Sequence, residues 1–240
     1  GEFDYVVVGA GTAGCLLTNR LSATGASVCL LDVLFILLRT LIHLPVGYVW
    51  NVHSRRLTWD YAVEPGPVVN RRFRLPQGKV LGGSSSINGL SHVRGQRQDY
   101  DDWAAAGNPG WSYLEILPYF MRSERKVGVG DDRFRGRSGS LHITDQDWSH
   151  PICDAFVNGL SELGIPLTED YNGMVHTGGG YLQRAIHNGR RCSSARAFLK
   201  PAMQRPNVEV RTRAHVSRIL FEGTRAVGAG VLDLLGPREV

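Results

Sequence analysis

Two short apolar runs at the amino terminus flank a segment with helical spacing. The runs FDYVVV (3–8) and SVCLLD (27–32) are rich in valine and leucine, which is typical of buried strands. Between them, from Thr12 to Ser22, apolar residues recur with the period of a helix. The turn GAGTAG joins the first run to this helix. The pattern predicts a βαβ unit of about 30 residues.

The middle of the chain is punctuated by glycine and proline. A loop-rich region spans residues 47–78, and the next helix is expected to begin near Ser84 or Ser85. Residues 125–139 are charged and glycine-rich, so an exposed loop and a possible domain boundary are expected there.

The segment SYLEILPYF predicts a capped helix. Ser112 with Glu115 three residues later is a capping-box signature. One helical face carries Tyr113, Ile116, Leu117 and Phe120. Most aromatic residues here are expected in the core, namely Trp103, Trp111, Tyr113, Tyr119 and Phe120.

The carboxy-terminal part alternates predicted strands and helices. These are a strand SLHIT (140–144), a helix over 150–163, a strand over 180–187, an Asn188-Gly189 turn, a helix over 193–204, and successive antiparallel strands over 208–233.

Composition is that of an ordinary globular protein, with 42% hydrophobic and 20% charged residues. The net charge of +5 comes from dispersed arginines, which argues against a nucleic-acid interface. Four scattered cysteines without CxxC spacing favour a reducing, cytoplasmic compartment, with membrane association left open. The apolar stretch 33–44 is interrupted by Arg39 and His43, so no transmembrane segment is expected.

The first chemical motif is G-x-G-x-x-G at Gly9, Gly11 and Gly14, between the first strand and its helix. The glycines permit the turn and the approach of a pyrophosphate, which backbone amides and the positive helix end would bind. Asp32 ends the second strand near the offset of about 20 residues expected for a ribose-binding carboxylate. This arrangement predicts dinucleotide binding without separating FAD from NAD.

The second motif is GKVLGGSSSING (78–89). Paired glycines expose backbone amides, the serines add hydroxyls, and Asn88 can both donate and accept hydrogen bonds. Such a loop suits an extended phosphate and a polar ring edge.

The run GKVLGGSSSINGLSHVRG resembles the first signature of the glucose-methanol-choline oxidoreductases. GNPGWSYLEILPYF and NGRRCSSARAFL are similar to further segments of that family, and the likeness extends from Phe3 to about Val231. The resemblance implies an α/β (α+β) fold, with a Rossmann-like FAD-binding domain and the beginning of a second, substrate-binding domain. It implies a first part of the FAD domain at 1–139, substrate-domain residues 140–190, and a return to the FAD domain at 191–240.

The resemblance also implies FAD as cofactor, with the pyrophosphate near residues 9–14, the ribose at Asp32, the flavin along Val80 to Gly89, and the adenine at the backbone of Val216. The implied cofactor-binding residues are Gly9, Gly11, Thr12, Ala13, Gly14, Asp32, Val80, Gly82, Gly83, Ser84, Asn88, Gly89 and Val216.

Some relatives link the flavin through a histidine at the position of Ile87, so non-covalent FAD is expected here. Two departures stand out: Asp32 replaces the more usual glutamate, and residues 33–40 are more apolar than the usual loop. The family's catalytic histidine and its partner are expected beyond Val240, and none of the eight histidines matches it. His92, a few residues after Asn88, is a weaker candidate for bordering the site.

The remaining histidines lack metal-ligand spacing, and the serines lack a nucleophile-elbow context, so neither a metal site nor a nucleophilic serine is expected. The expected activity is FAD-dependent oxidation of a choline-like or primary alcohol by hydride transfer to flavin N5, with the electron acceptor left open. Alternatives are a non-catalytic FAD-binding fragment, lyase or photodecarboxylase chemistry on the same fold, and an NAD-dependent enzyme.

Overall fold

The computed structural model describes residues 1–34, 40–233 and 236–240. It divides into a first unit, Gly1–Gly89 with Gly189–Val240, and a second unit, Leu90–Asn188. The division at 89/90 lies well before the expected boundary at 139/140, because residues 90–139 pack with the segments that follow them. The functional assignment of the predicted domains stays a prediction.

The first unit contains most of the strands. Its elements are β1 (Tyr5–Val8), α1 (Thr12–Ser22), β2 (Val28–Leu31), α2 (Thr40–His43), α3 (Tyr48–Asn51), β3 (Tyr61–Val63), β4 (Phe73–Leu75), β8 (Arg190–Arg191), α7 (Lys200–Ala202), β9 (Val208–Arg211), β10 (His215–Glu222), β11 (Arg225–Asp233) and β12 (Gly236–Glu239). The second unit contains α4 (Arg97–Ala105), α5 (Tyr113–Ser123), β5 (Glu124–Val127), β6 (Leu141–Thr144), α6 (Pro151–Glu162) and β7 (Ile186–His187).

The predicted βαβ unit is confirmed. β1 pairs in parallel with β2, from Tyr5 opposite Val28 to Val8 opposite Leu31, and α1 connects the two strands. All four residues of β2 are buried, as expected for a short apolar strand inside a parallel sheet. This sheet positions the turn between β1 and α1 at its carboxyl edge.

The prediction that residues 208–233 form only successive antiparallel strands is wrong for β9. β9 pairs in parallel with β2, from Val28 opposite Val208 to Leu31 opposite Arg211, giving the order β1-β2-β9. The antiparallel prediction is confirmed for β10 and β11, to which β12 adds a third strand. Strand propensity predicts a strand but not its partner, because pairing depends on which edge the folded sheet leaves open.

A core cluster lies where the parallel and antiparallel sheets of the first unit meet. It contains Cys29 and Leu31 of β2, Ala214, and Ala229 and Val231 of β11, all buried. This packing holds the carboxyl end of β2 beside the start of β10, where residues of the candidate site lie.

The helix expected to begin near Ser84 or Ser85 is a single 3₁₀ turn, Gly83–Ser86. The serine hydroxyls explain its brevity, since Ser85 and Ser86 donate to the carbonyls of Gly82 and Leu81. Short hydroxyl side chains that bond nearby backbone compete with helix continuation.

The expected exposed loop at 125–139 is also wrong in part. β5 occupies Glu124–Val127 and pairs in parallel with β6, and the side chains of Lys126 and Arg135 are buried. Charged residues predict exposure only when no opposite charge accompanies them into the interior. Here Lys126 lies 2.7 Å from Asp145, and Arg135 contacts Glu124.

Most of the other elements match their predictions. The capping box holds, with the Ser112 amide and hydroxyl donating to the Glu115 carboxylate at 3.0 and 2.5 Å. α6 begins after His150, whose ring accepts from the Ile152 amide. The Asn188-Gly189 turn has φ angles of +50° and +67°, and helical turns cover 195–202.

Two further predictions, one of a strand and one of buried aromatic side chains, are wrong in part. The predicted strand over 180–187 reduces to β7, preceded by isolated bridges at Arg184. Tyr113 is buried, whereas Trp103, Trp111 and Tyr119 are more than half exposed and do not lie in a core.

Within the described residues, no helix combines the length and apolarity that a membrane crossing requires.

Candidate functional site

The turn between β1 and α1 forms a glycine cradle. Gly9 has φ +86° and its amide donates to the Leu31 carbonyl at 2.7 Å, which ties the turn to the end of β2. A Cβ on Gly14 would lie 1.9 Å from the Gly9 carbonyl oxygen, so only glycine permits this closeness of helix and strand. A Cβ on Gly11 would meet no atom within 4 Å, so its backbone faces open space at the start of α1.

Asp32 supports this cradle from the end of β2. Its carboxylate accepts hydrogen bonds from the Ala10 amide at 2.7 Å and the Leu34 amide at 3.1 Å. Burial raises the pKa of the carboxyl above its ordinary value, while the bonds from the Ala10 and Leu34 amides oppose that rise. Each carboxylate oxygen has a second lone pair, so these bonds leave acceptor capacity for a ribose hydroxyl.

The serine-glycine loop lies directly against the cradle. The Gly82 amide donates to the Ala10 carbonyl at 2.7 Å. A Cβ on Gly83 would be 2.8 Å from the Cα of Gly11, and a Cβ on Gly78 would be 2.3 Å from the Gly83 carbonyl carbon. Two motifs about 70 residues apart in sequence therefore meet backbone to backbone, which is possible only because both are rich in glycine.

A cleft of about 220 Å³ opens between these loops and the start of β10. Six predicted cofactor-binding residues line it: Gly9, Gly11, Asp32, Val80, Gly83 and Val216. The cleft is formed entirely by residues of the first unit. The predicted pyrophosphate, ribose and adenine positions are thus brought to one place.

The other seven predicted residues do not line this cleft. Thr12, Ala13 and Gly14 form the first turn of α1. Thr12 and Ala13 are exposed, whereas Gly14 is buried. Gly82 and Ser84 lie in the loop next to Gly83, and Asn88 and Gly89 are exposed at the loop's far end.

The serine hydroxyls were expected to be available to a phosphate, but the loop itself uses them. Ser84 donates to the Gln77 side chain at 2.9 Å and accepts from the Gly78 amide at 3.0 Å. Ser85 and Ser86 bond backbone carbonyls of the same loop. These hydroxyls stabilise the loop, so the backbone amides are the better donors toward an anion.

Three cleft side chains that carry a charge or an aromatic ring were not predicted from the sequence. Trp59, Lys79 and His215 all line the cleft, with the Lys79 ammonium 4.9 Å from the centre of the Trp59 ring system. The His215 ring meets Trp59 edge-on at 5.7 Å. Lys79 follows Gly78 in the second motif and could have been noticed, whereas no local pattern distinguishes Trp59.

Ile87 is 2% exposed and packs with Ile42, Leu57 and Val80 in an apolar cluster. The side chain that replaces the flavin-linking histidine of some relatives is therefore a core residue. The atypical segment 33–40 lies largely outside the described residues, which omit 35–39.

The candidate histidine His92 belongs to the second unit. Its Nε2 lies 3.4 Å from the buried Glu124 carboxylate, so the ring contacts an acidic group of its own unit. Across the described part of the chain, no group of three or more His, Cys, Asp or Glu side chains is placed to hold a metal ion.

Comparison with known proteins finds relatives over almost the whole chain. The family model for GMC oxidoreductases matches residues 3–236. The oxygen-dependent choline dehydrogenase of Brucella anthropi is 41% identical over 232 residues, which is 96% of this chain and 42% of that protein. The mitochondrial choline dehydrogenase of Mus musculus is 40% identical over 236 residues, or 95% of this chain and 39% of that protein.

Solved structures show the same relationship. The crystal structure of pyridoxine 4-oxidase from Mesorbium loti superimposes with a TM-score of 0.92 and 30% identity, covering 100% of this chain and 48% of that one. An FAD-dependent oxidoreductase from Chaetomium thermophilum gives a TM-score of 0.88 at 26% identity, covering 100% and 44%.

The chain belongs to the GMC oxidoreductase family. The amino-terminal domain of this family binds FAD, so the predicted fold class and cofactor are confirmed. The chain spans about two fifths of the length of the curated relatives it matches.

Proposed function

We propose that the cleft of the first unit binds FAD non-covalently, as part of an enzyme that oxidises a choline-like or other primary alcohol. The main support is the contact between the Gly9–Gly14 turn and the Gly78–Gly83 loop. The glycine cradle fits a dinucleotide, because Gly11 opens to unfilled space where any larger group would narrow the approach.

Each part of the cleft has a proposed task. Backbone amides at the start of α1 and the positive end of that helix hold the diphosphate. Asp32 accepts from the ribose, the backbone of Val216 contacts the adenine, and Val80 to Gly89 lie along the flavin. Bound FAD would supply a two-electron acceptor for the hydride that leaves the alcohol carbon, while the protein supplies orientation.

The alcohol class rests on relatives. Those identical at 40–41% are choline dehydrogenases by name. The structural relative at 30% identity is named as an oxidase of a different compound, pyridoxine. We therefore propose a primary alcohol as substrate, with choline as the first compound to test.

The first test is FAD binding by the purified chain followed by anaerobic addition of alcohols. We expect a flavin absorbance spectrum that bleaches on addition of choline or another primary alcohol. Acid precipitation should release the flavin into the supernatant, because Ile87 offers no atom for a covalent bond. A colourless protein that does not take up added FAD would contradict the proposal, and flavin retained in the pellet would contradict non-covalent binding.

A second candidate is an FAD-binding module that does not turn over alcohol by itself. It is favoured by the cleft itself, because the lining residues that have a proposed task, among them Gly11, Asp32 and Val216, are all assigned to the cofactor. Stable FAD binding without bleaching across a panel of primary alcohols would support this candidate. Bleaching by any of them would rule it out.

A further inference from the structure

A buried arginine lies beneath the serine-glycine loop. Arg191, in β8, is 1% exposed, and its neighbour Arg190 is exposed. Among the described residues, no carboxylate forms an ion pair with Arg191, and its Nη2 has no hydrogen-bond acceptor. Burying a guanidinium without a counter-charge is costly, so the burial of Arg191 calls for a specific explanation.

The hydrogen bonds of Arg191 to described residues go to oxygen atoms of the first unit. Its Nε donates to the Ile42 carbonyl at 3.0 Å. Its Nη1 donates to the Ser85 carbonyl at 3.2 Å and to Oδ1 of Asn88 at 2.8 Å. Arg191 therefore bonds both the 3₁₀ turn Gly83–Ser86 and Asn88 at the far end of the same loop, which is proposed to lie along the flavin.

The Asn88 contact has a chemical direction. A guanidinium has only donors, so the carboxamide must turn its oxygen toward Arg191. The NH₂ group of Asn88 is then on the opposite side of the amide. Without Arg191, the oxygen and nitrogen ends of this side chain could exchange places by rotation about one bond.

The charge of Arg191 persists at neutral pH. Burial lowers the pKa of its guanidinium to about 10, which still leaves it protonated. The donor-only character that orients Asn88 is thus constant over the physiological range.

We propose that Arg191 is a positioning residue for the cofactor: it holds the oxygen of Asn88 so that this amide acts as a hydrogen-bond donor toward the flavin. The inference rests on the proposed function, since it requires Val80 to Gly89 to lie along the ring. A donor beside the ring stabilises the electron-rich reduced flavin more than the oxidised one. Arg191 therefore raises the reduction potential through Asn88.

The test is the reduction potential of the FAD-loaded chain, measured against a reference dye. Arg191→Met should lower the potential, shifting the ratio of reduced to oxidised flavin about 10-fold, or roughly 30 mV for a two-electron couple. Arg191→Lys should give a smaller shift in the same direction, because lysine keeps the charge but cannot reach all three oxygens. Arg190→Met, on the exposed neighbour, is the matched control and should leave the potential unchanged.

A double-mutant cycle separates positioning from general loss of packing. In an Asn88→Ala background, Arg191→Met and Arg191→Lys should change the potential little, because the group through which Arg191 acts is already gone. An undiminished shift in that background, or no shift in the single variants, would overturn the inference. If Arg191→Met does not fold, the Arg191→Lys arm of the cycle gives the decision. Wild-type chain that fails to bind FAD would instead overturn the proposed function and this inference together.

Discussion

At the scale of single residues, the second unit is organised around the buried carboxylate of Glu124. Arg135 donates to it at 2.8 and 3.2 Å, and an Nη atom of Arg94 lies 2.8 Å from it. All three side chains are 2% exposed or less. Arg94 thus pairs with this carboxylate, whereas Arg135 divides its charge compensation between Glu124 and Asp170.

Removing that carboxylate should destabilise the second unit strongly. We expect Glu124→Gln to lower the free energy of unfolding by about 3–5 kcal/mol, because buried Arg94 loses its carboxylate partner and Arg135 keeps only Asp170. Denaturant unfolding followed by circular dichroism measures this. The matched control is Glu64→Gln, which breaks the exposed pair with Arg72 and should cause no measurable change. Equal effects of the two substitutions would contradict the role given to Glu124.

The lowered pKa of Glu124 predicts that part of the free energy of unfolding is lost in acid. Burial alone would raise its pKa, but the hydrogen bond from His92 and the charges of Arg94 and Arg135 outweigh it and hold the pKa at about 2, below the ordinary 4.5. A lowered folded pKa stabilises the fold above pH 4.5, and this contribution is lost as pH falls toward 2. Denaturant unfolding repeated at decreasing pH measures this loss. The Glu124→Gln variant should lack this pH-dependent part of the free energy of unfolding.

At the scale of elements, the contact between two glycine loops determines the geometry of the cleft. Gly83 has φ +54°, and a Cβ there would lie 2.8 Å from the Gly11 backbone. Alanine at this position must therefore push the two loops apart in addition to straining its own backbone.

We expect Gly83→Ala to weaken FAD binding about 10-fold or more, since local strain of about 1–3 kcal/mol falls on the binding loops. Titration of FAD against the purified chain measures the dissociation constant. Gly223→Ala is the matched control, because Gly223 has φ +60° but open space around it. It should lower stability by about 1–2 kcal/mol and leave FAD affinity unchanged. Equal loss of FAD affinity in both variants would show that the loop contact is unimportant.

At the scale of the whole molecule, the two units should respond differently to the cofactor. FAD at 100 times its dissociation constant stabilises a binding unit by about 2.7 kcal/mol. We expect hydrogen exchange to slow at the Gly9 and Gly82 amides, which bond Leu31 and Ala10 in the first unit. The Lys126 amide, bonded to Gly136 in the second unit, should be unaffected. An equal slowing in both units would contradict a site confined to the first unit.

Predictions from the sequence succeeded where structure depends on near neighbours. The βαβ unit, the capping box of Ser112 and Glu115, and the Asn188-Gly189 turn all follow from hydrogen bonds and periodicity within a few residues. They failed where a distant partner decides the outcome. β9 pairs with the edge of β2, and within the charged segment 125–139 Lys126 and Arg135 are buried because Asp145 and Glu124 neutralise them.

The sequence by itself determined the two glycine motifs, and through them the family and the cofactor class. Each motif is a run of contiguous residues in which glycine permits a local turn or a close backbone approach. Only the tertiary structure decided that Gly83 meets Gly11, that Trp59 enters the cleft, and that Arg191 reaches Asn88 across 103 residues of sequence. Such contacts arise when packing of the sheets brings distant segments together, and no local pattern encodes which segments those will be.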